Sequence, residues 1–98
     1  MLDCEGNVTS WNTGAALLKG YRADEVLGRP HRVFYTAEDQ ASGRPGRLLD
    51  TARVDGRAED EGWSIRKNGA TFWAKVVITA LYDDTGVFRG YAKTQTDG

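Results

Sequence analysis

The chain has few of the residues that build covalently linked or metal-stabilised folds. It contains one cysteine, one histidine and two prolines among 98 residues. The single cysteine, Cys4, excludes an intramolecular disulfide and a cysteine-based zinc site. The start of the chain also lacks the charged and then apolar pattern of a secretion signal. The sequence therefore predicts a cytoplasmic domain that is held together by packing.

Long apolar runs and an excess of charge of one sign are also missing. No unbroken apolar run approaches the ~20 residues that a membrane-spanning helix needs. Thirteen basic and fourteen acidic side chains give a formal charge of -1, which excludes the strong basic field of a dedicated nucleic-acid binder or a polybasic membrane anchor. The composition, 40% hydrophobic and 28% charged, is typical of a globular protein, and the length allows one small domain.

Helix signals occupy the first half of the chain. Asn12 or Thr13 can cap the first amides of a short helix that ends at Gly20. A proline at a first helical position and a glycine beyond the last one predict a longer helix from near Pro45 to Gly56. Single helical turns are expected between these two helices, at residues 23–27 and 36–39.

From Glu59 onward the hydrophobic period changes to two, which indicates β-strands. Asn68 and Gly69 are typical of a type I′ hairpin turn, in which both central residues have positive φ. With a short N-terminal hairpin added, the pattern predicts an α+β fold with one antiparallel sheet of about five strands and short helices on one face. The meander strands are expected at residues 63–66, 71–81 and 87–94.

The order of these motifs resembles the PAS sensory-domain family over essentially the whole chain. The resemblance is greatest to PAS modules of bacterial sensor histidine kinases. It implies one PAS domain over residues 1–98. Because the usual apolar residues before Leu2 are missing and Asp97-Gly98 replaces the usual exit motif, we expect truncation at the first strand and no C-terminal signalling linker. The matching segments are residues 6–12, 20–21, 24–29, 34–39, 61–63, 66–69, 72–74, 83–86 and 90–93.

The flavin-binding photosensory branch of the family offers a test, because residues 28–32 have the shape of its reactive loop. Pro30 and His31 replace the asparagine and the cysteine of that loop, and imidazole cannot form the cysteinyl adduct with flavin. The flavin-binding asparagines would fall near Ser64 and Ala74, neither of which carries an amide side chain. The long helix lacks the histidine that haem-binding relatives use. We therefore predict no cofactor and no metal ligand, and interpret His31 as a satisfied or solvent-facing loop histidine.

Catalytic constellations are also missing from the sequence. The acidic residues 59–61 are typical of a solvated strand edge. The glycine- and arginine-rich segment 43–47 lacks the Gly-Lys-Ser/Thr end of a phosphate loop. We therefore predict a non-catalytic domain. The family resemblance further implies an ion pair between Glu25 and Lys67, with two independent surface charges as the alternative.

Alternation along the predicted strand 71–81 separates two faces of the sheet. By family analogy the inner face meets the helices and lines an interior in which relatives hold a small ligand, and a filled core is the alternative. The side chains expected to line this interior are Trp11, Leu17, Val26, Leu27, Phe34, Leu48, Leu49, Ser64, Phe72, Ala74, Val76 and Phe88.

The other face of the sheet is expected to expose several large side chains together. Soluble monomers seldom expose apolar patches beyond a few hundred Å², and PAS relatives cover this face with an N-terminal helix or a second copy. We therefore predict a homodimer through this face, with cover by segments outside this chain as the alternative. The face comprises Trp63, Ile65, Trp73, Val77 and Tyr91.

The functional prediction is a sensory or signal-relay PAS module of a bacterial signal-transduction protein. It would be attached to an output domain and would respond to an unknown small molecule or a partner, without binding nucleic acid or inserting into a membrane. Two alternatives remain: a structural dimerisation module with no ligand, and a cofactor-bearing redox or light sensor.

Overall fold

The computed structural model describes the backbone of residues 1–97 and the side chains of residues 1–96. Three strands form one antiparallel sheet in the order β1-β2-β3. They are β1 (Arg57–Ile65), β2 (Thr71–Tyr82) and β3 (Phe88–Asp97). The predicted departure from the family at the C-terminal end falls mostly outside this range, since Gly98 and the Asp97 side chain are not described.

The N-terminal hairpin extends the sheet without forming regular strands. Leu2 makes isolated antiparallel bridges to Val8 and to Tyr91, and the Leu2 and Tyr91 amides donate to each other's carbonyls at 2.8 and 2.9 Å. The α+β class and the antiparallel sheet are confirmed. However, the described residues form three regular strands rather than about five, because this hairpin is too short to build a ladder.

Short helices pack on one face of the sheet. The helix boundaries agree closely with the predicted caps: Asn12 Oδ1 accepts from the Ala15 amide at 2.7 Å, and Gly20 ends the first helix in the left-handed conformation. No helix among residues 1–97 has the length and hydropathy needed to cross a bilayer. The helices are α1 (Thr13–Lys19), α2 (Ala23–Val26), α3 (Ala37–Ser42) and α4 (Arg44–Asp55), with a 3₁₀ helix at His31–Phe34.

Strand β1 begins six residues before the predicted start at residue 63. Its inward positions carry small residues, such as Ala58 and Gly62, which lie under α4 and are buried. Its outward positions carry charges, so the local sequence has little β propensity. Pairing with β2 decides the conformation here, which is typical of strands whose context outweighs their composition.

The pairing of β2 with β3 contains an irregularity that reverses the expected faces of β3. Tyr82 pairs with Phe88 but Leu81 pairs with Gly90, so Arg89 has no partner across the ladder. This extra residue turns Tyr91 inward, where it is 2% exposed. The prediction that Tyr91 lies on the outer face is therefore wrong. It assumed uninterrupted alternation along the strand, and no local pattern indicates the bulge.

The hairpin between β1 and β2 also differs from its prediction. The Gly69 amide donates to the Arg66 carbonyl at 2.9 Å, and the Arg66 amide donates to the Ala70 carbonyl at 2.8 Å. Gly69 has φ of 87°, but no described residue other than glycine has positive φ, so Asn68 does not. The type I′ assignment is wrong. This geometry fits a three-residue loop in which a type I turn is followed by a left-handed glycine.

The same hairpin is held against the helical layer. Lys67 Nζ donates to Glu25 Oε2, which confirms the predicted ion pair. The Lys67 amide also donates to the carbonyl of Lys19 at 2.9 Å. The tip of the hairpin is therefore attached to the end of α1 as well as to α2.

His31 connects the helices to the sheet from a buried position. Its Nε2 lies 3.2 Å from the carbonyl oxygen of Pro45, and its Nδ1 lies 3.2 Å from Nζ of Lys93. Burial, reinforced by repulsion from Lys93, lowers the pKa of His31 to about 3. The imidazole is therefore neutral: Nε2 donates to Pro45, and Nδ1 accepts from Lys93.

Replacing Gly69 with valine should destabilise the domain, since a β-branched side chain resists the positive φ at this position. We expect Gly69→Val to lower the free energy of unfolding by about 1–2 kcal/mol, as measured by urea denaturation. Ala70→Val is the control, because Ala70 is exposed and does not have positive φ. An unchanged unfolding midpoint for Gly69→Val would contradict the left-handed conformation.

His31 should make stability depend on pH. The unfolded chain protonates His31 as the pH falls through about 6.5, whereas the folded chain keeps it neutral down to about 3. The stability from neutral His31 is therefore complete above pH 6.5 and is lost as the pH falls towards 3. Between pH 6.5 and 5 we expect His31 to account for a loss of about 1.5 kcal/mol of unfolding free energy.

Urea denaturation of the wild type and of His31→Gln at those two pH values measures this loss. Glutamine keeps a side-chain donor for the Pro45 carbonyl but does not titrate. A wild type whose stability depends on pH no more steeply than that of His31→Gln would show that His31 is not held neutral.

Candidate functional site

A cavity of about 630 Å³ lies between α1 and β3. This volume is within the range of about 300–1,000 Å³ that is usual for small-molecule sites. Leu2, Val8, Trp11 and Phe34 form its apolar surface. The rings of Trp11 and Phe34 are stacked, with centroids 5.2 Å apart and planes inclined by 19°. The cavity can therefore accommodate an apolar or aromatic group.

Lys19, the last residue of α1, turns its side chain into this cavity and is only 5% exposed. Its ammonium group lies 4.1 Å from the ring centroid of Phe34 and 5.3 Å from that of Trp11. Burial lowers the pKa of Lys19 to about 8. The side chain is therefore still mostly protonated at neutral pH.

Lys93 reaches the same cavity from β3, because the bulge before Gly90 turns it inward. Its Nζ lies 4.7 Å from the ring centroid of Tyr35 and 5.7 Å from that of Phe34. Burial and repulsion from Lys19 lower the pKa of Lys93 well below its usual value. The two lysine amino groups thus share one low-dielectric space, which disfavours their charged forms.

Neither lysine is compensated by an anion among the described side chains. Among the side chains of residues 1–96, no carboxylate lies within 4.0 Å of Lys19 Nζ or Lys93 Nζ. Burying a charge without a counter-ion costs free energy. Such arrangements are enriched at functional sites, because the same groups that cost stability can bind a ligand.

A polar wall completes the cavity. Gln95 lines it and donates from Nε2 to the hydroxyl of Ser64. The other amide atom, Gln95 Oε1, is buried and finds no hydrogen-bond partner among the described residues. Because the Ser64 hydroxyl can pair with either end of the amide, Gln95 can present a carbonyl or an amino group to a bound molecule.

Of the residues predicted to line the interior, Trp11 and Phe34 lie at the cavity. Ser64 contacts it through Gln95. The remaining inward residues belong to the packed core or lie partly buried against it, rather than at the cavity. These residues are Val26, Leu48, Leu49, Phe72, Ala74, Val76 and Phe88.

Leu17 and Leu27 do not face the interior, so their predicted role as lining residues is wrong. They are 80% and 47% exposed. In α1 the neighbouring Leu18 lines the cavity instead, because successive helical positions differ by about 100° in direction. Leu27 is the C-cap of α2 with extended ψ, which takes it off the helix face.

The outer sheet face exposes the predicted tryptophan pair. Trp63 and Trp73 are register partners whose ring centroids lie 5.3 Å apart at 84°, and they are 51% and 41% exposed. Trp73 Nε1 donates to Glu61 Oε2 at 3.3 Å. By strand alternation Ile65 and Val77 share this face and are partly buried, whereas Tyr91 is in the core.

No role for Lys19 or Lys93 was predicted from the sequence. A signal for Lys19 was present, since Ala15, Leu18 and Lys19 recur at helical spacing and lie on one side of α1. For Lys93 the signal requires the bulge in β3, which becomes visible only from the strand pairing. When the extra residue of the bulge is included, Lys93 falls on the inward side with Tyr91.

Comparisons with known proteins agree with this architecture. A sequence model of the PAS domain family matches residues 1–97. Two-component system protein A from Emericella nidulans is 43% identical over 97 residues, which are 99% of this chain and 14% of that protein. The chain therefore spans about a seventh of the length of that relative.

Solved structures share the fold. The PAS domain of a protein from Colwellia psychrerythraea superposes with a TM-score of 0.88 at 20% identity, covering 98% of this chain and 80% of that one. A light-oxygen-voltage domain studied with a flavin analogue gives 0.80 at 27% identity, covering 96% and 69%. With a family match over 97 residues and this fold, the chain belongs to the PAS domain family, the sensory modules of signalling proteins.

Proposed function

We propose that this chain is the sensory or signal-relay module of a sensor histidine kinase and that it has no catalytic activity of its own. The similarity to a protein named as a two-component system protein supports this assignment. The kinase or other output domain would lie elsewhere in a longer polypeptide, in the cytoplasm. The observation that carries the proposal is the cavity between α1 and β3.

The position of the cavity suggests how a signal would leave it. The lining residues Leu2 and Lys93 belong to the N-terminal hairpin and to β3, which meet at the bridge between Leu2 and Tyr91. A ligand that binds one arrangement of these segments better than another shifts the population between them. An output domain attached beyond β3 would respond to that shift through the position of the strand.

Ligand binding can be tested by native mass spectrometry of the purified chain. We expect a non-covalent adduct of small mass that is lost in Ala15→Phe, since Ala15 lines the cavity and a phenyl ring would fill it. Leu17→Phe is the matched control, because Leu17 lies on the solvent side of the same helix. Repeated absence of an adduct from the wild type would favour the alternative of a structural module with no ligand.

The similarity to a light-oxygen-voltage domain favours one further candidate, a cofactor-bearing light or redox sensor. Three positions oppose a cysteinyl photoadduct. His31 replaces the reactive cysteine and is engaged by Pro45, and Ser64 and Ala74 stand where the flavin-binding asparagines would fall. A visible absorption spectrum of the purified chain decides the matter: we expect no flavin or haem bands, and such bands would overturn our proposal.

We also propose that a second copy of the chain covers the outer sheet face. Tryptophans that are exposed together are typical of the centres of interfaces. Beside Trp63 and Trp73, Glu61 and Lys75 are register partners with exposed side chains of opposite charge. A two-fold axis near these residues would bring each charge towards the opposite charge of the other copy, as a self-complementary interface requires.

Sedimentation equilibrium of the wild type and of Trp73→Glu tests this interface. We expect a dimer for the wild type and a dissociation constant at least tenfold higher for Trp73→Glu, since a buried unpaired carboxylate is costly. Val54→Glu is the control, because Val54 lies on α4 and is 84% exposed. A monomeric wild type at high micromolar concentration, or equal dimerisation of Trp73→Glu, would show that the dimer interface is absent or lies elsewhere.

A further inference from the structure

We propose that the cavity between α1 and β3 binds a small organic carboxylate with an apolar body, held by the ammonium groups of Lys19 and Lys93. This inference rests on the proposed sensory function, because it names the class of ligand that the cavity would sense. It goes beyond that function in assigning both charge and shape to the ligand.

Arg44, another cation in a partly buried position, has carboxylate partners. Its side chain is 19% exposed and is paired with Asp39 at 2.8 Å and with Asp60 at 2.6 Å. Lys19 and Lys93, in contrast, repel each other in the cavity, and no carboxylate among the side chains of residues 1–96 lies within 4.0 Å of either. A ligand anion would supply the charge that the protein does not.

The two lysines have hydrogen-bond donors that the described residues do not use. A lysine ammonium group has three N–H donors. Lys93 uses one on Nδ1 of His31, and Lys19 Nζ has no hydrogen-bond acceptor among the described residues. The aromatic faces of Trp11 and Phe34 attract the charge of Lys19, but they do not accept hydrogen bonds as a carboxylate oxygen does. Both lysines thus retain donors for a ligand.

One of these two donor groups is also held in place. The imidazole of His31 lies between the Pro45 carbonyl and Lys93 Nζ, at 3.2 Å from each. This chain of contacts limits the positions that the long Lys93 side chain can occupy. His31 is therefore a positioning residue for Lys93, and its neutral ring adds no further positive charge.

The remaining surface of the cavity determines the rest of the ligand. The apolar side chains of Leu2 and Val8, with the stacked rings of Trp11 and Phe34, suit a hydrocarbon or aromatic body. No arginine contributes to the lining, so the planar fork that suits phosphate is missing among these residues. A carboxylate joined to an apolar group fits both parts of the cavity.

Calorimetric titration tests the charge preference directly. The probes are benzoate, hexanoate and benzyl alcohol, the last being the uncharged counterpart of benzoate. We expect benzoate or hexanoate to bind the wild type at least tenfold more tightly than benzyl alcohol, and Lys19→Met and Lys93→Met to lose that preference. Arg32→Met is the control, because the Arg32 side chain is exposed and lies outside both the cavity lining and the outer sheet face.

The outcomes separate this inference from the function on which it rests. If the alcohol binds as tightly as both carboxylates, the carboxylate inference is overturned while the cavity remains a receptor. If no probe binds at millimolar concentration, the carboxylate inference is overturned. The ligand-sensing function then falls as well only if native mass spectrometry also shows no adduct.

Thermal unfolding of the ligand-free chain gives a test that does not depend on the choice of probe. Removing a buried charge that lacks an anion should relieve repulsion, so we expect Lys19→Met and Lys93→Met each to raise Tm by about 4 °C or more. Arg32→Met should leave Tm nearly unchanged. A lower Tm for both cavity variants would show that the aromatic rings and His31 already satisfy these lysines, and would overturn the inference.

Discussion

The arrangement of the site depends on one unpaired residue in the sheet. Arg89 has no partner across the ladder between β2 and β3, so the side chains of residues 91–96 lie on the face opposite to the one that uninterrupted alternation predicts. Tyr91 consequently packs in the core, and Lys93 meets His31 instead of solvent. At Gly90 a Cβ atom would clash with the carbonyl oxygen of Leu2, so glycine at this position lets the N-terminal hairpin dock. One bulge thus joins the hairpin, β3 and the helical layer.

Features that depend on neighbouring residues could be predicted from the sequence, and features that depend on distant pairing could not. The cap at Asn12 and the helix stops at Gly20 and Gly56 follow from local hydrogen bonds and backbone preferences. The inward face of β2 follows from its alternation. In contrast, the early start of β1, the bulge in β3 and the hairpin turn at Gly69 are settled by registers between strands, which no local pattern specifies.

The same distinction applies to the site. The sequence identifies Trp11 and Phe34, because large apolar side chains follow the rule that such residues are buried. Lys19 and Lys93 break that rule, and a prediction based on burial places them in solvent. Local rules and the global fold are expected to disagree at functional positions, where binding is favoured at the expense of stability. The residues that were hardest to predict are therefore the ones on which the proposed chemistry depends.

The position of Leu2 and Val8 also has a kinetic consequence. Both residues form part of the cavity wall, and both side chains belong to the buried core. Backbone hydrogen bonds join their hairpin to β3 through Tyr91 and to the segment 28–31 through Gly6 and Val8. A movement of this hairpin that opens the cavity wall therefore also disturbs the core, and it costs more free energy than the fraying of an exposed end. The residence time of a bound molecule is thereby tied to the stability of the core.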